Sequence, residues 1–260
     1  MKNAVRLLTM LIMFLAFPSS SHAAGLDGVV QWSTSRMETW SPPGRSFYPD
    51  AKETPSDGLV RYSEIARAAA SVAFDPAEKP VFSGPDARFR TLAVMLAIAD
   101  SESGYRKDVD SGRGSAARGD GGRSWCMMQI QLSTEDLSTH RTKTRIVLSD
   151  DAWSYAFDGK TGWGGEDLVQ DRTKCFRAAL HMIRVSMRAC SYLPHQERLA
   201  VYTGGSCSYP EARKKSSDRM KKATSWLFSR PAPSDDAAIM TVLLQSSGLS
   251  ALASGSLPTD

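Results

Sequence analysis

The chain has 260 residues, of which 42% are hydrophobic and 23% charged, and its formal net charge is +4. This near balance excludes the strongly basic face that nucleic acids require, and the length is enough for one good core with flanking irregular segments. No stretch approaches the roughly 20 apolar residues a membrane-spanning helix needs.

The opening residues, MKNAVRLLTMLIMFLAFPSSSHAAG, combine a basic start (Lys2, Arg6), a short apolar run and small residues ending in Ser21, His22 and Ala23. That order predicts a signal peptide over residues 1–23, cut after Ala23, and a periplasmic or secreted mature chain. Removal of Lys2 and Arg6 lowers the net charge from +4 to +2. No cysteine lies near the cut, which argues against a lipid anchor.

Residues 24–58 are rich in Pro, Gly and Ser with scattered Trp32, Trp40, Phe47 and Tyr48, and read as an irregular arm. The spacing of Ile65, Ala69 and Val72 predicts a first helix over 59–74, with Asp57 as its cap. Pro76, Pro80 and Pro85 then break the chain. A stronger helix is expected over 86–103, where Phe89, Leu92, Leu96 and Ala99 form a stripe that Glu102 and Ser103 continue. The Gly-rich, charged segment 108–123 reads as a loop, followed by extended chain over 125–132. Helices are expected over 172–191, 195–203 and 210–228, the second stopping at Gly204 and Gly205. From residue 231 to 260 the composition becomes that of a linker and flexible tail, with a weak helix over 237–245.

Four cysteines in an exported chain predict two disulfides. If Cys175 and Cys190 share a helix, the helical rise separates them by about 22 Å, which is beyond bridging distance. That disfavours joining them, and with it Cys126 to Cys207. Cys190–Cys207, which closes a short loop, and Cys126–Cys175 are preferred. His140, His181 and His195 show no ligand spacing with the cysteines, so neither a metal nor a cofactor is expected.

The chemistry centres on AIADSESGYRKDV, residues 97 to 109. A carboxyl on an apolar stripe loses hydration, and the negative end of the helix dipole further opposes its ionisation, so Glu102 should have a raised pKa. A carboxylic acid that keeps its proton near neutrality suits general acid catalysis of glycosidic cleavage. The plainer role for Glu102 is a pair with Arg106 or Lys107 one turn on.

Two later segments add to it: GDGGRSWCMMQIQLS (Gly119 to Ser133) and RLAVYTGGSCS (Arg198 to Ser208). With Glu102 and Ser103, the run Cys126, Met127, Met128, Gln129 and Ile130, and then Ala200 to Gly204, the chain resembles the lysozyme-like superfamily, specifically lytic transglycosylases and goose-type lysozymes. The resemblance covers roughly residues 86–213, and implies a mainly helical catalytic domain over 59–230. It implies Glu102 as acid and then base, Ser103 orienting the acid or contacting sugar, Met128 and Gln129 lining the cleft, and Tyr202 directing its hydroxyl towards Glu102. Peptidoglycan glycan strands are the implied partner, with the neighbouring N-acetyl group assisting and a 1,6-anhydro sugar as product. Cys126 stands where the family carries Gly, and Thr203 where it carries Asn.

A hydrolase normally wants a second carboxylate, and Asp120 is the candidate, against the plainer role of shaping a turn. An inactive wall-binding or assembly protein, and a chitin-cleaving enzyme, are the other readings kept open. A cell-envelope assembly is an open further partner; a monomer without membrane insertion after cleavage is expected. Trp153, Tyr155 and Trp163 suit either sugar stacking or core packing. The Lys/Arg cluster from Arg213 to Lys222 reads as a solvated helix face, with attraction to an anionic wall polymer as the sharper option.

Overall fold

The computed structural model describes residues 25–44, 48–132 and 144–229. The expected signal peptide, the tail with its weak helix over 237–245, and His140 lie outside the described residues. Within them the chain is mainly helical.

The segment expected as an irregular arm is instead largely helical. Helix α1 (Leu26–Trp40) buries Leu26, Val29, Val30, Ser33 and Met37, a stripe of helical period. The stripe is easy to overlook because a serine occupies its centre and its flanks are polar. Trp32 stacks on Trp226 at 4.0 Å and meets Phe89 edge-on at 5.3 Å, which places α1 in the main core and not outside it. Among the described residues the helical unit therefore includes α1 as well as the chain from 59 onward.

Helix α2 (Pro55–Ala73) starts earlier than its apolar spacing implies, because Thr54 is the cap: its hydroxyl accepts the Asp57 backbone N–H at 3.1 Å, and Pro55 occupies the first turn. Asp57, the expected cap, is the residue being capped. Helix α3 (Ala87–Ser103) is buried without interruption from Thr91 to Ala99. A helix apolar on every side belongs at the centre, and α1, α2 and the two later helices Arg172–Ala189 and Pro210–Ser229 surround it.

A short helix, α4 (Lys107–Ser111), interrupts the segment expected as loop. Two buried acids anchor it. Asp108 accepts from Arg106 at 3.0 and 2.7 Å, and Asp110 accepts a two-pronged bond from Arg172 at 2.8 Å on each oxygen. The extended chain that follows is a small antiparallel ladder, β1 (Ser124–Trp125) with β2 (Ile130–Gln131).

A second hairpin, β3 (Arg145–Ser149) with β4 (Ala152–Ala156), pairs Ile146 with Tyr155 and Leu148 with Trp153. Trp153, Tyr155 and Trp163 are partly buried against the core, and the Tyr155 hydroxyl donates to the Gln131 carbonyl at 2.8 Å. Their arrangement is that of packing residues.

After α5 (Gly165–Gln170), helix α6 (Arg172–Ala189) carries Cys175 near its start, and Cys190 closes it. The helix expected over 195–203 is split into a 3-10 turn, His195–Glu197, and α7 (Ala200–Gly204). Ser216 explains the break: its hydroxyl donates to the Gln196 carbonyl at 2.7 Å and accepts the Leu199 N–H at 2.9 Å, diverting the backbone between the two pieces. Helix α8 (Pro210–Ser229) packs along α3.

The disulfides join Cys126 to Cys175 and Cys190 to Cys207, the pairing preferred from the sequence, and no described cysteine is free. Among the described residues no helix is long and apolar enough to cross a membrane. Two disulfides suit an oxidising, extracytoplasmic compartment.

Candidate functional site

The site is built where α3 stops. Gly104 takes the left-handed conformation (φ 56) and returns its N–H to the Asp100 carbonyl at 2.8 Å. Tyr105 follows, also left-handed (φ 52), with its fully buried ring directed back so that the hydroxyl donates to the Leu96 carbonyl at 2.7 Å. Ser103 completes the stop: its hydroxyl donates to the Ala99 carbonyl at 2.7 Å and accepts the Tyr105 N–H at 3.2 Å. The chain thus ends a buried helix one residue after Glu102 by using Ser103 on its own backbone. In the position where the resemblance implies sugar contact, that hydroxyl is already engaged.

Glu102 has a side chain 22% exposed and pairs with Arg219 of α8 through Oε1 at 2.7 Å, while Arg219 itself is only 7% exposed. Arg106 pairs with Asp108, so the local partner considered for Glu102 is occupied elsewhere. Burial is the largest influence on the Glu102 carboxyl and pushes its pKa up. The charges of Arg219 and Lys215 and the Arg219 hydrogen bond pull it down, and the charge of Asp120 pushes it up. The net effect raises the Glu102 pKa above its ordinary value.

Tyr202 of α7 lies within electrostatic reach of this carboxyl. Its hydroxyl donates to the Met128 carbonyl at 2.8 Å, where the resemblance implies a bond to Glu102. Burial, and after it the Glu102 charge, raises the Tyr202 pKa well above that of a free phenol, with Arg219 opposing, so the group stays neutral. Met128 is fully buried, and its carbonyl is the link between α7 and the turn over 126–129.

That turn is held from three sides. Cys126 adopts φ 54, a conformation suited to glycine, and its disulfide ties it to α6. Gln129 (φ 48) uses both ends of its amide: Nε2 donates to the Cys126 carbonyl and Oε1 accepts the Gly119 N–H, each at 3.0 Å. A Cβ on residue 119 would lie 2.6 Å from Gln129 Oε1, so only glycine allows this clasp. Gln129 therefore secures the Gly-rich loop, with both ends of its amide already used there.

Asp120, at φ 52 on the exposed crest of that loop, accepts from the Ser124 hydroxyl at 2.6 Å, and its carbonyl accepts from Arg123 at 2.8 Å. It shapes the turn, yet its charge reaches Glu102. Thr203 donates to the Ala212 carbonyl at 2.8 Å and so joins α7 to α8.

Sequence reasoning missed Arg219, Lys215, Lys222 and Asp100. Lys222 pairs with Asp100, which also accepts from Ser41 at 2.6 Å. The signal lay in α8: Ala212, Ser216, Arg219, Met220, Ala223 and Trp226 are its buried stripe, with Arg219 inside it. Part of the cluster read as a solvated face therefore turns inward. Among the described residues no group of three or more His, Cys, Asp or Glu is placed to hold a metal ion.

The fold and site together define a mainly helical, doubly disulfide-bonded domain with a desolvated carboxyl at the end of its central helix. No family model, curated protein or solved structure matches the chain.

Proposed function

We propose that the chain is an exported lytic transglycosylase that cleaves the β-1,4 bond between N-acetylmuramic acid and N-acetylglucosamine in peptidoglycan. Protonated Glu102 gives its proton to the bridging oxygen while the N-acetyl carbonyl oxygen closes on C1. The carboxylate then takes the proton of the C6 hydroxyl, whose oxygen displaces the acetyl oxygen from C1 and closes the 1,6-anhydro ring.

One observation carries this reading: Glu102 ends the buried central helix with its side chain only 22% exposed, and burial raises its pKa although a guanidinium touches the group. Arg219 occupies Oε1, which leaves Oε2 as the oxygen that bears and donates the proton. Tyr202, Met128 and Gln129 act here as the support that keeps the turn and α7 against that carboxyl.

Two observations favour neighbouring readings. The charge of exposed Asp120 reaches Glu102, as a hydrolase holding water would need. The Glu102–Arg219 pair equally suits an inactive peptidoglycan-binding or assembly protein in which it clamps α8 to α3.

A zymogram of purified chain in embedded cell wall, with mass spectrometry of the soluble products, separates the three. The expected result is clearing, products one water lighter than hydrolysis gives, and no clearing by Glu102→Gln at unchanged Tm. Products with reducing ends make the enzyme a hydrolase. An inert wild-type chain that still sediments with wall leaves the binding role. Retained clearing by Glu102→Gln removes Glu102 from the chemistry.

A further inference from the structure

Away from Glu102, five segments converge on a cavity of about 550 Å³: the stretch 79–83, the start of α3, the β3–β4 turn, the second half of α6, and the chain from His195 to Arg198. Its lining holds five cationic side chains and a single carboxylate, that of Asp151. Lys79 pairs with Asp151 at 3.1 Å, and Arg184 pairs with Glu78 behind the wall. Arg90, Arg188 and Arg198 have no carboxylate partner among the described residues.

These guanidinium groups are held in place by neutral groups. Arg90 lies over the Phe82 ring at 4.5 Å, Arg198 donates through Nε to the Leu193 carbonyl at 2.9 Å, and Arg188 donates to the Asp151 carbonyl. Each arrangement orients a cation without an ion pair, although the charges of Arg188 and Arg184 both reach the Asp151 carboxylate. Arg184 is more than nine-tenths buried, and its Nε has no hydrogen-bond partner. A buried, unpaired N–H of that kind costs free energy. The lining already registers the positive field: burial, and then repulsion by Arg198 and Arg90, lowers the pKa of His195, whose ring lies 5.5 Å from that of Phe82.

We propose that this cavity binds a phosphoryl group, as a free phosphate compound or as the phosphodiester headgroup of a lipid. A tetrahedral phosphoryl group, singly charged in a diester and up to doubly charged in a monoester, directs oxygen lone pairs towards several guanidinium forks at once, whereas a carboxylate is planar and engages one fork well. The cavity has the volume of a small-molecule site. It shares no residue with the Glu102 site, and the proposal stands whether or not the chain cleaves peptidoglycan.

The test is isothermal titration of the chain with inorganic phosphate at fixed ionic strength, with acetate as comparator. Saturable phosphate binding, at least tenfold weaker in Arg90→Gln/Arg198→Gln and weakened also in the exposed pair Lys79→Gln/Arg188→Gln, is expected. Unliganded Tm values show that the variants are folded. Absence of saturable binding, acetate binding as tightly as phosphate, or variants that bind like wild type would overturn the proposal. Sedimentation with phosphatidylglycerol vesicles, released by phosphate and absent with phosphatidylcholine, would assign the source to a lipid headgroup. Phosphate binding without vesicle binding would assign it to a soluble phosphate.

Discussion

Removing the Cys126–Cys175 bridge tests how the turn beside Glu102 is held. The bridge closes a sequence separation of 49, for which loop-closure entropy predicts about 4 kcal/mol at 25 °C. Cys175 is fully buried, so its truncation adds on the order of 1 kcal/mol for the space left behind. Cys126 at φ 54 is best replaced by glycine, which adopts that conformation without strain. Cys126→Gly/Cys175→Ala should therefore lose about 4–5 kcal/mol. Cys190→Ala/Cys207→Ala, whose bridge spans a separation of only 17, should lose about 3–4 kcal/mol, because the entropy grows with the logarithm of loop length and fully buried Cys190 adds a truncation cost like that of Cys175. Urea unfolding of the two double variants reads both losses. At roughly 2–4 °C per kcal/mol for a domain of this size, the first variant should melt about 10–20 °C below wild type. Under the proposed function its wall-clearing rate should also fall severalfold at temperatures where it remains folded, since Met128 and Gln129 lose their anchor on α6. A short-loop variant that is the less stable of the two, or a long-loop variant within about 1 kcal/mol of wild type, would refute the loop-entropy reasoning.

Three further outcomes are expected. Arg219→Gln removes a cation that holds the Glu102 pKa down, so the carboxyl stays protonated to higher pH and the alkaline limb of the pH–rate profile moves upward; a limb that moves down contradicts the assignment of Glu102 as the acid. Burial alone would raise the Glu78 pKa, but hydrogen bonds and charge from His181 and Arg184 hold it at about 2, so the stability it supplies is complete above about pH 5 and lost as pH falls from about 4.5 towards 2. Glu78→Gln should abolish that acid-side slope, worth about 3 kcal/mol, in urea unfolding measured from pH 7 to 2.5. Met37→Ala, at a fully buried position of α1, should cost about 2–5 kcal/mol in the same assay, whereas a cost near zero would return α1 to the status of a loose arm.

Helices α2, α3 and α6 were legible in the sequence because each repeats its apolar residues at a local helical period, whereas α8 was legible only as a basic helix whose inward stripe went unread. The same arithmetic kept Cys175 from Cys190 on one helix, and the preference for the short loop Cys190–Cys207 selected the observed disulfides from the two pairings left. Glu102 could be placed at the end of α3, and its burial inferred, from the stripe it continues. Helix α1 was present as a pattern but masked by Ser33, and the cap at Thr54 lay ahead of the first apolar residue and was passed over.

Only the tertiary structure decided what Glu102, Tyr202 and Gln129 touch. Arg219 reaches Glu102 from more than a hundred residues away, Tyr202 bonds to Met128, and Ser216 splits an expected helix in two. Periodicity tells which face of a helix leaves water, since that depends on neighbours within a few turns. Which buried group meets which depends on the crossing of helices distant in the chain, and no local repeat encodes that geometry.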